Sequence, residues 1–387
     1  MSNSHQPAGI PWATWRAQFA ALEPAAPRAL DPAAWPDLEA WRKTLRARAL
    51  DLLCGHHDAP GLRDAPVRTL GEVACDGYRR RTLLYRTAPG IETEAWLLLP
   101  EGATPAAPRP GVLALHDWGG LVLFGRAKIL EVPGAPEILR AHWAKCYEGR
   151  PFAGELARRG FAVLVGDAFG FGDRRLHDAS TVELEASGRP FDEIAAELND
   201  LHSRVRGAVA DNLLLAAGRT SPGTLVSDDV RALDVLAAQP EVDAKRLACM
   251  GLSMGGWRAV HLAALDERIA CVVPVGWMST LLPIVLRRPV GSLGSASVIH
   301  GLVRDADFPH LAALAAPRPM LSIQGREDKH FPPAATEAAW RQIGEVYRRL
   351  GRAEAFRASM YEAPHRFDLA MQNEAFTWLE RWLGPVA

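Results

Sequence analysis

Cysteine is scarce in this chain, and an excess of either charge is absent from it. The five cysteines among 387 residues, Cys54, Cys75, Cys146, Cys249 and Cys271, are an odd number, widely spaced and without a Cys-x-x-Cys pair. That pattern argues against a disulfide framework and against a cysteine-based zinc site, and a reducing, cytoplasmic compartment is the expectation. Lys and Arg total 44 against 45 Asp and Glu, a formal charge of −1. No basic stripe carries interleaved aromatics, so neither nucleic acid nor an anionic membrane surface is expected as a partner. A long apolar run is also missing. The longest, Ala270 to Leu286, falls short of the ~20 residues of a membrane span and contains Pro274 and Pro283. It reads as a buried strand followed by a pocket wall. Met1 to Trp15 has neither a basic n-region nor an apolar h-region, so no secretory signal is read there. His56-His57-Asp58 stands beside Pro60-Gly61 with no His-Glu-x-x-His spacing, so it reads as a polar loop, and no metal and no cofactor is expected.

What the chain does have is length enough for a large core, and a regular alternation of elements. Residues 1–66 are rich in Ala, Pro and Trp, with Trp12, Trp15, Trp35 and Trp41 among them. From Asp37 to Leu53, apolar Leu38, Trp41, Leu45, Ala49 and Leu52 recur at helical spacing, which predicts an N-terminal helical extension packed on the main body. From residue 67 to 387 one α/β domain is expected. Arg79 to Tyr85 and Glu94 to Leu99 read as an antiparallel pair, and Gly111 to Leu115 and Phe161 to Val165 as strands buried on both faces. The glycine-rich turn Gly166 to Arg174 lacks a Gly-x-Gly-x-x-Gly or a Walker lysine, so it reads as a loop at the sheet's carboxyl edge rather than a phosphate cradle.

A polar, helical insertion follows at about 175–222, with Phe191 to Ala217 periodic enough for one or two helices. Thr224 to Ala238 reads as a helix with Ser227-Asp228-Asp229 in its first turn. Beyond it come strands at Lys245 to Leu252 and Ala270 to Val275, a pocket wall at about 276–309, strand Met320 to Gln324 and helix Ala334 to Leu350. Strand Phe356 to Tyr361 and a final helix from Asp368 to Leu383 close the chain. Strands alternating with helices imply a mostly parallel central sheet with helices on both faces.

The chemistry concentrates at the ends of three of these strands. Gly251-Leu252-Ser253-Met254-Gly255-Gly256 follows a buried strand and precedes a helix from Arg258 to Leu265, which is the setting of a nucleophile elbow. A serine hydroxyl is too weak an acid to attack a carbonyl unaided, so it needs a base and a carboxylate that fixes the base. Strand Met320 to Gln324 ends in Gly325-Arg326-Glu327-Asp328, and strand Phe356 to Tyr361 leads to Pro364-His365-Arg366-Phe367. Ser253, Asp328 and His365 are the candidate nucleophile, acid and base. Asp328 is preferred to Glu327 because its shorter side chain suits a rigid turn. His365 is preferred to His330 and His310 because it follows a strand. His261 reads as a satisfied helix histidine. The N–H of Met254 and that of Trp118 are the candidate oxyanion donors, with Asp117 as the alternative to Trp118, and His116 braces their loop. Trp257, Trp277, Met278 and Leu281 are pocket candidates.

These motifs together resemble the α/β-hydrolase superfamily, and within it the dienelactone-hydrolase-like and acetyl-xylan-esterase-like branch. The resemblance covers about 67–385. It implies the α/β-hydrolase fold and a serine esterase that cleaves a small-molecule ester, with a small acyl group, through an acyl-enzyme. The chain departs from dienelactone hydrolases in having Ser253 where those use cysteine, and in its long insertion. It also carries Asp117 where many relatives have glycine. A serine peptidase of the prolyl-oligopeptidase type and an inactive hydrolase fold serving as a receptor are the two alternatives.

Overall fold

Nine strands form one sheet in the order β1-β2-β3-β5-β4-β6-β7-β8-β9. The computed structural model describes residues 14, 17, 28–53, 62, 64–287 and 297–384. Trp12, Trp15, Cys54 and His56-His57-Asp58 lie outside them. β1 (Arg68–Cys75), β2 (Tyr78–Ala88) and β3 (Ile91–Pro100) are an antiparallel meander, and β3 also pairs antiparallel with β5 (Ala162–Gly166). From β5 through β4 (Arg109–Leu115), β6 (Val242–Leu252), β7 (Ile269–Val275), β8 (Met320–Gly325) and β9 (Phe356–Tyr361) every pairing is parallel. The central strands are covered on both faces, so they are buried at successive rather than alternate residues, as in Val112 to Leu115 and throughout β8. β1 escaped the sequence reading because it is exposed on both faces and shows no apolar alternation.

The strand order turns back at β4, with β5 on one side and β6 on the other. The crevice at the carboxyl ends of these strands is where an open α/β sheet places its ligand. The helix after β6 begins at Met254, four residues before the expected start. Gly255 and Gly256 are poor helix formers, but this turn of helix packs against the sheet too closely for side chains. A Cβ at Gly255 would lie 2.1 Å from the Leu115 carbonyl oxygen.

The helix before β6 runs from Ser221 to Ala237, and its N-cap is Thr220, whose side chain accepts from the Gly223 N–H, with a proline at the helix start. The first-turn placement of Ser227-Asp228-Asp229 is therefore corrected. These residues lie further along the helix, where Asp228 pairs with Arg174 and Asp229 with Arg258 of the elbow helix. Both members of the Asp229–Arg258 pair are buried. Removing either would strand the other charge, at a cost of about 3–5 kcal/mol.

The N-terminal helix, Leu38–Leu53, buries Leu38, Trp41, Leu45, Ala49 and Leu53 in the same core as the sheet. It is tied to the elbow helix by Arg46, which donates to the Ala264 carbonyl at 3.0 Å. The insertion folds into helices Ala179–Glu185 and Phe191–Gly207, the latter continuing through a π-helical turn, Ala208–Leu213. On the buried face of the longer helix, Ile194, Ala195 and Leu198 are followed by polar Asn199, His202 and Arg206. The wall carries short helices at Leu281–Arg287, Leu302–Asp305 and Phe308–Ala313. Helices Glu137–Tyr147 and Phe152–Arg158 lie between β4 and β5. Cys75, Cys146, Cys249 and Cys271 are free thiols, and among the described residues no helix is long and apolar enough to cross a membrane.

Candidate active site

Ser253 sits between the end of β6 and the first residue of its helix with φ 57° and ψ −117°, a conformation that a non-glycine residue adopts only under constraint. The constraint is the packing of its neighbours. A Cβ at Gly251 would approach the Leu115 carbonyl oxygen to 2.2 Å, so β4 and the elbow touch backbone to backbone. Met254 opens the helix, where N–H groups have no intrahelical acceptor and the helix dipole favours negative charge.

Asp328 and His365 come together from the ends of β8 and β9. His365 Nδ1 lies 2.6 Å from Asp328 Oδ2. The carboxylate only accepts, so Nδ1 carries the proton and Nε2 is left with its lone pair. Asp328 is fully buried and receives two further bonds, from Gln324 Nε2 at 2.6 Å and from the His330 N–H at 2.7 Å. Three donors on one carboxylate fix its plane and, through it, the imidazole ring. Glu327 is exposed, and His310 is occupied elsewhere by Asp307 and Gln342. His261 lies on the elbow helix with Nδ1 on the Trp257 carbonyl, and burial lowers its pKa to about 4.

Ser253, Met254, Trp118 and His365 line one cavity of about 570 Å³, with Trp277, His330 and Phe331 in its wall. Asp117 is not among the residues that line it. Of the four pocket candidates only Trp277 takes that position, and it packs edge-on against Phe331. Trp257 is instead fully buried and stacked on His261, because the first helical turn directs its side chain into the core. Met278 is also core, its carbonyl held by Thr336 Oγ1 at 2.8 Å, and Leu281 starts a helix with its N–H on Asp307.

The loop carrying Trp118 is held by residues that spacing does not single out. His116 does brace it: Nδ1 donates to the Asp117 carbonyl at 2.8 Å and Nε2 accepts the Ala168 N–H at 3.0 Å. Burial, reinforced by Lys128 and Arg258, holds the His116 pKa well below its ordinary value, which keeps this neutral tautomer. Lys128 is fully buried and donates to the carbonyls of Asp117, Trp118 and Leu121 at 2.6, 3.0 and 3.0 Å. The Asp117 side chain turns inward to Tyr147 and His142. From the insertion, Asn199 accepts the Val122 N–H at 2.8 Å and donates to the Gly120 carbonyl at 2.9 Å. Arg206 places its guanidinium 4.3 Å from the Trp118 ring centroid. An Asn and an Arg on the apolar stripe of an amphipathic helix were the available signal. Buried polar groups on such a stripe imply specific partners.

Solved structures with this architecture include a provisionally named acetyl xylan esterase from Bacteroides fragilis, with a TM-score of 0.66 at 16% identity, covering 94% of this chain and 85% of that one. A glucuronoyl esterase from Solibacter usitatus gives a TM-score of 0.62 at 14% identity, covering 93% and 99%. The chain has the α/β-hydrolase fold. Within that fold its similarity is to the acetyl-xylan-esterase branch: residues 218–280, which span the elbow, match the model of the acetyl xylan esterase family (AXE1). A provisionally named hydrolase of Bacillus subtilis (strain 168), YtaP, is 26% identical over 326 residues, 84% of this chain and 95% of that one.

Proposed function

We propose that the protein is a carboxylic ester hydrolase acting through Ser253, His365 and Asp328. The observation that carries the reading is the Asp328–His365 pair, fixed by three donors, with His365 on the same cavity as the strained Ser253. Ser253 Oγ attacks the ester carbonyl while His365 Nε2 takes its proton. The tetrahedral oxyanion is met by the N–H groups of Met254 and Trp118, and each such donor contributes about 3–4 kcal/mol in the transition state. His365 returns the proton to the departing alcohol. Water, activated by the same imidazole, then releases the acid from the acyl-enzyme.

The substrate class proposed is a small-acyl ester of a carbohydrate-type alcohol. The similarity to acetyl xylan esterases supports it, as do the aromatic walls of Trp277 and Phe331 beside the serine. The test is a panel of p-nitrophenyl esters from acetyl to octanoyl alongside acetylated xylo-oligosaccharides. The highest kcat/KM is expected on acetyl esters. Preference for octanoyl, or cleavage of peptides but of no ester, would overturn the assignment.

A further inference from the structure

The insertion brings together three side chains with metal-ligating atoms, and none of them lines the cavity of Ser253. His177 precedes the Ala179–Glu185 helix, Glu185 is the last residue of that helix, and His202 lies on the buried face of the Phe191–Gly207 helix. We propose that His177, Glu185 and His202 bind one divalent transition-metal ion of the zinc class, which staples the insertion together. The proposal does not depend on ester hydrolysis.

Geometry is the first argument. One ligand atom from each residue lies within 4.8 Å of the others. The carboxylate straddles the two rings, with Oε2 3.4 Å from His177 Nδ1 and Oε1 3.4 Å from His202 Nε2. With metal–ligand bonds of about 2.1 Å, two corners of a coordination tetrahedron are about 3.4 Å apart. Two imidazoles and a carboxylate suit zinc, nickel or copper, whereas calcium and magnesium call for oxygen donors.

The tautomer is the second argument. His202 Nδ1 lies 2.8 Å from the Leu176 carbonyl, which only accepts, so this nitrogen carries the proton. In the neutral ring Nε2 then keeps its lone pair, the form in which an imidazole binds a metal ion, and that nitrogen lies 3.4 Å from Glu185 Oε1. A backbone carbonyl on the second ring nitrogen is also how metal-bound histidines are oriented. Arg175 Nη2 donates to Glu185 Oε1 at 3.1 Å and steadies the carboxylate from outside. The side chain of His177 is 41% exposed and leaves an entry path for the ion. His202 shares its helix with Asn199 and Arg206, so an ion there restrains the helix that holds the Trp118 loop.

The test uses the tag-free full-length chain, stripped with chelator and titrated at pH 7.5 with Co²⁺ and then Zn²⁺. One equivalent of Co²⁺ should bind with visible absorption of a low-coordinate N/O site, and Zn²⁺ should displace it. Zn²⁺ should also raise the melting midpoint by at least about 2 °C. His177→Ala, at a partly exposed position that spares the fold, should weaken Zn²⁺ binding by more than about 30-fold and abolish the midpoint shift. Glu185→Gln should do the same. Absence of stoichiometric binding in the wild type, or unchanged affinity in His177→Ala, would overturn the proposal.

Discussion

Replacing Asn199 with Ala removes two hydrogen bonds from the insertion to the backbone of the Trp118 loop. The two lost partners differ in what they do next. Val122 is fully buried, and its N–H is left without an acceptor, which costs about 1–3 kcal/mol. Gly120 is exposed, so its carbonyl can turn to water at little cost. The loop recovers part of the Val122 cost by moving that N–H toward solvent, and Trp118 moves with it. Complete loss of an oxyanion donor lowers kcat by about 10²–10³. Lys128 still holds the carbonyls of Asp117, Trp118 and Leu121, so the displacement is partial. The expected fall in kcat is therefore about 10- to 100-fold, with KM changed less than about threefold, because the donor acts on charge that develops only in the transition state. Steady-state hydrolysis of p-nitrophenyl acetate measures both, and urea unfolding measures the stability loss. Asn199→Asp, which keeps the acceptor for Val122, should retain more activity than Asn199→Ala. A folded Asn199→Ala with kcat within twofold of wild type, or with only KM altered, would refute the reasoning.

Asp328→Asn keeps the shape of the turn but lets His365 take the wrong tautomer, so kcat should fall by about 10⁴-fold. A loss below tenfold would show that Asp328 does not orient the base. Lys128 supplies a pH-dependent prediction. Burial, against the raising effect of Asp117, pushes its pKa down from 10.5 to about 8. Between those values the unfolded chain keeps a proton that the folded chain has shed, so Lys128's contribution to stability rises with pH across this window. The unfolding free energy of wild type minus that of Lys128→Met should increase by about 2 kcal/mol between pH 7.5 and 9.5 in urea titrations. A constant or falling difference would contradict the buried ammonium.

The parts of the site legible in the sequence are those set by local geometry. Ser253 stands in a glycine-flanked turn, and Asp328 and His365 follow strands whose ends an α/β sheet gathers at one edge. The strand expected at Phe356 to Tyr361 has those bounds in the structure. What depended on side-chain direction was harder. Trp257 and Trp277 look alike as aromatics near the elbow, but helix phase buries the first and only the second reaches the cavity. Asn199 acts on backbone 77 and 79 residues away, and no local pattern encodes such a pairing. The Thr220 cap with its following proline was readable by rule. The acidic Asp228-Asp229 pair masked it by offering a competing cap.

Covalent capture of the nucleophile tests the central claim most directly. A fluorophosphonate incubated with the full-length chain and mapped by mass spectrometry should leave a single adduct on Ser253. The adduct should be absent in Ser253→Ala and form far more slowly in His365→Ala. No adduct on the wild type, or labelling that persists in Ser253→Ala, would contradict the account.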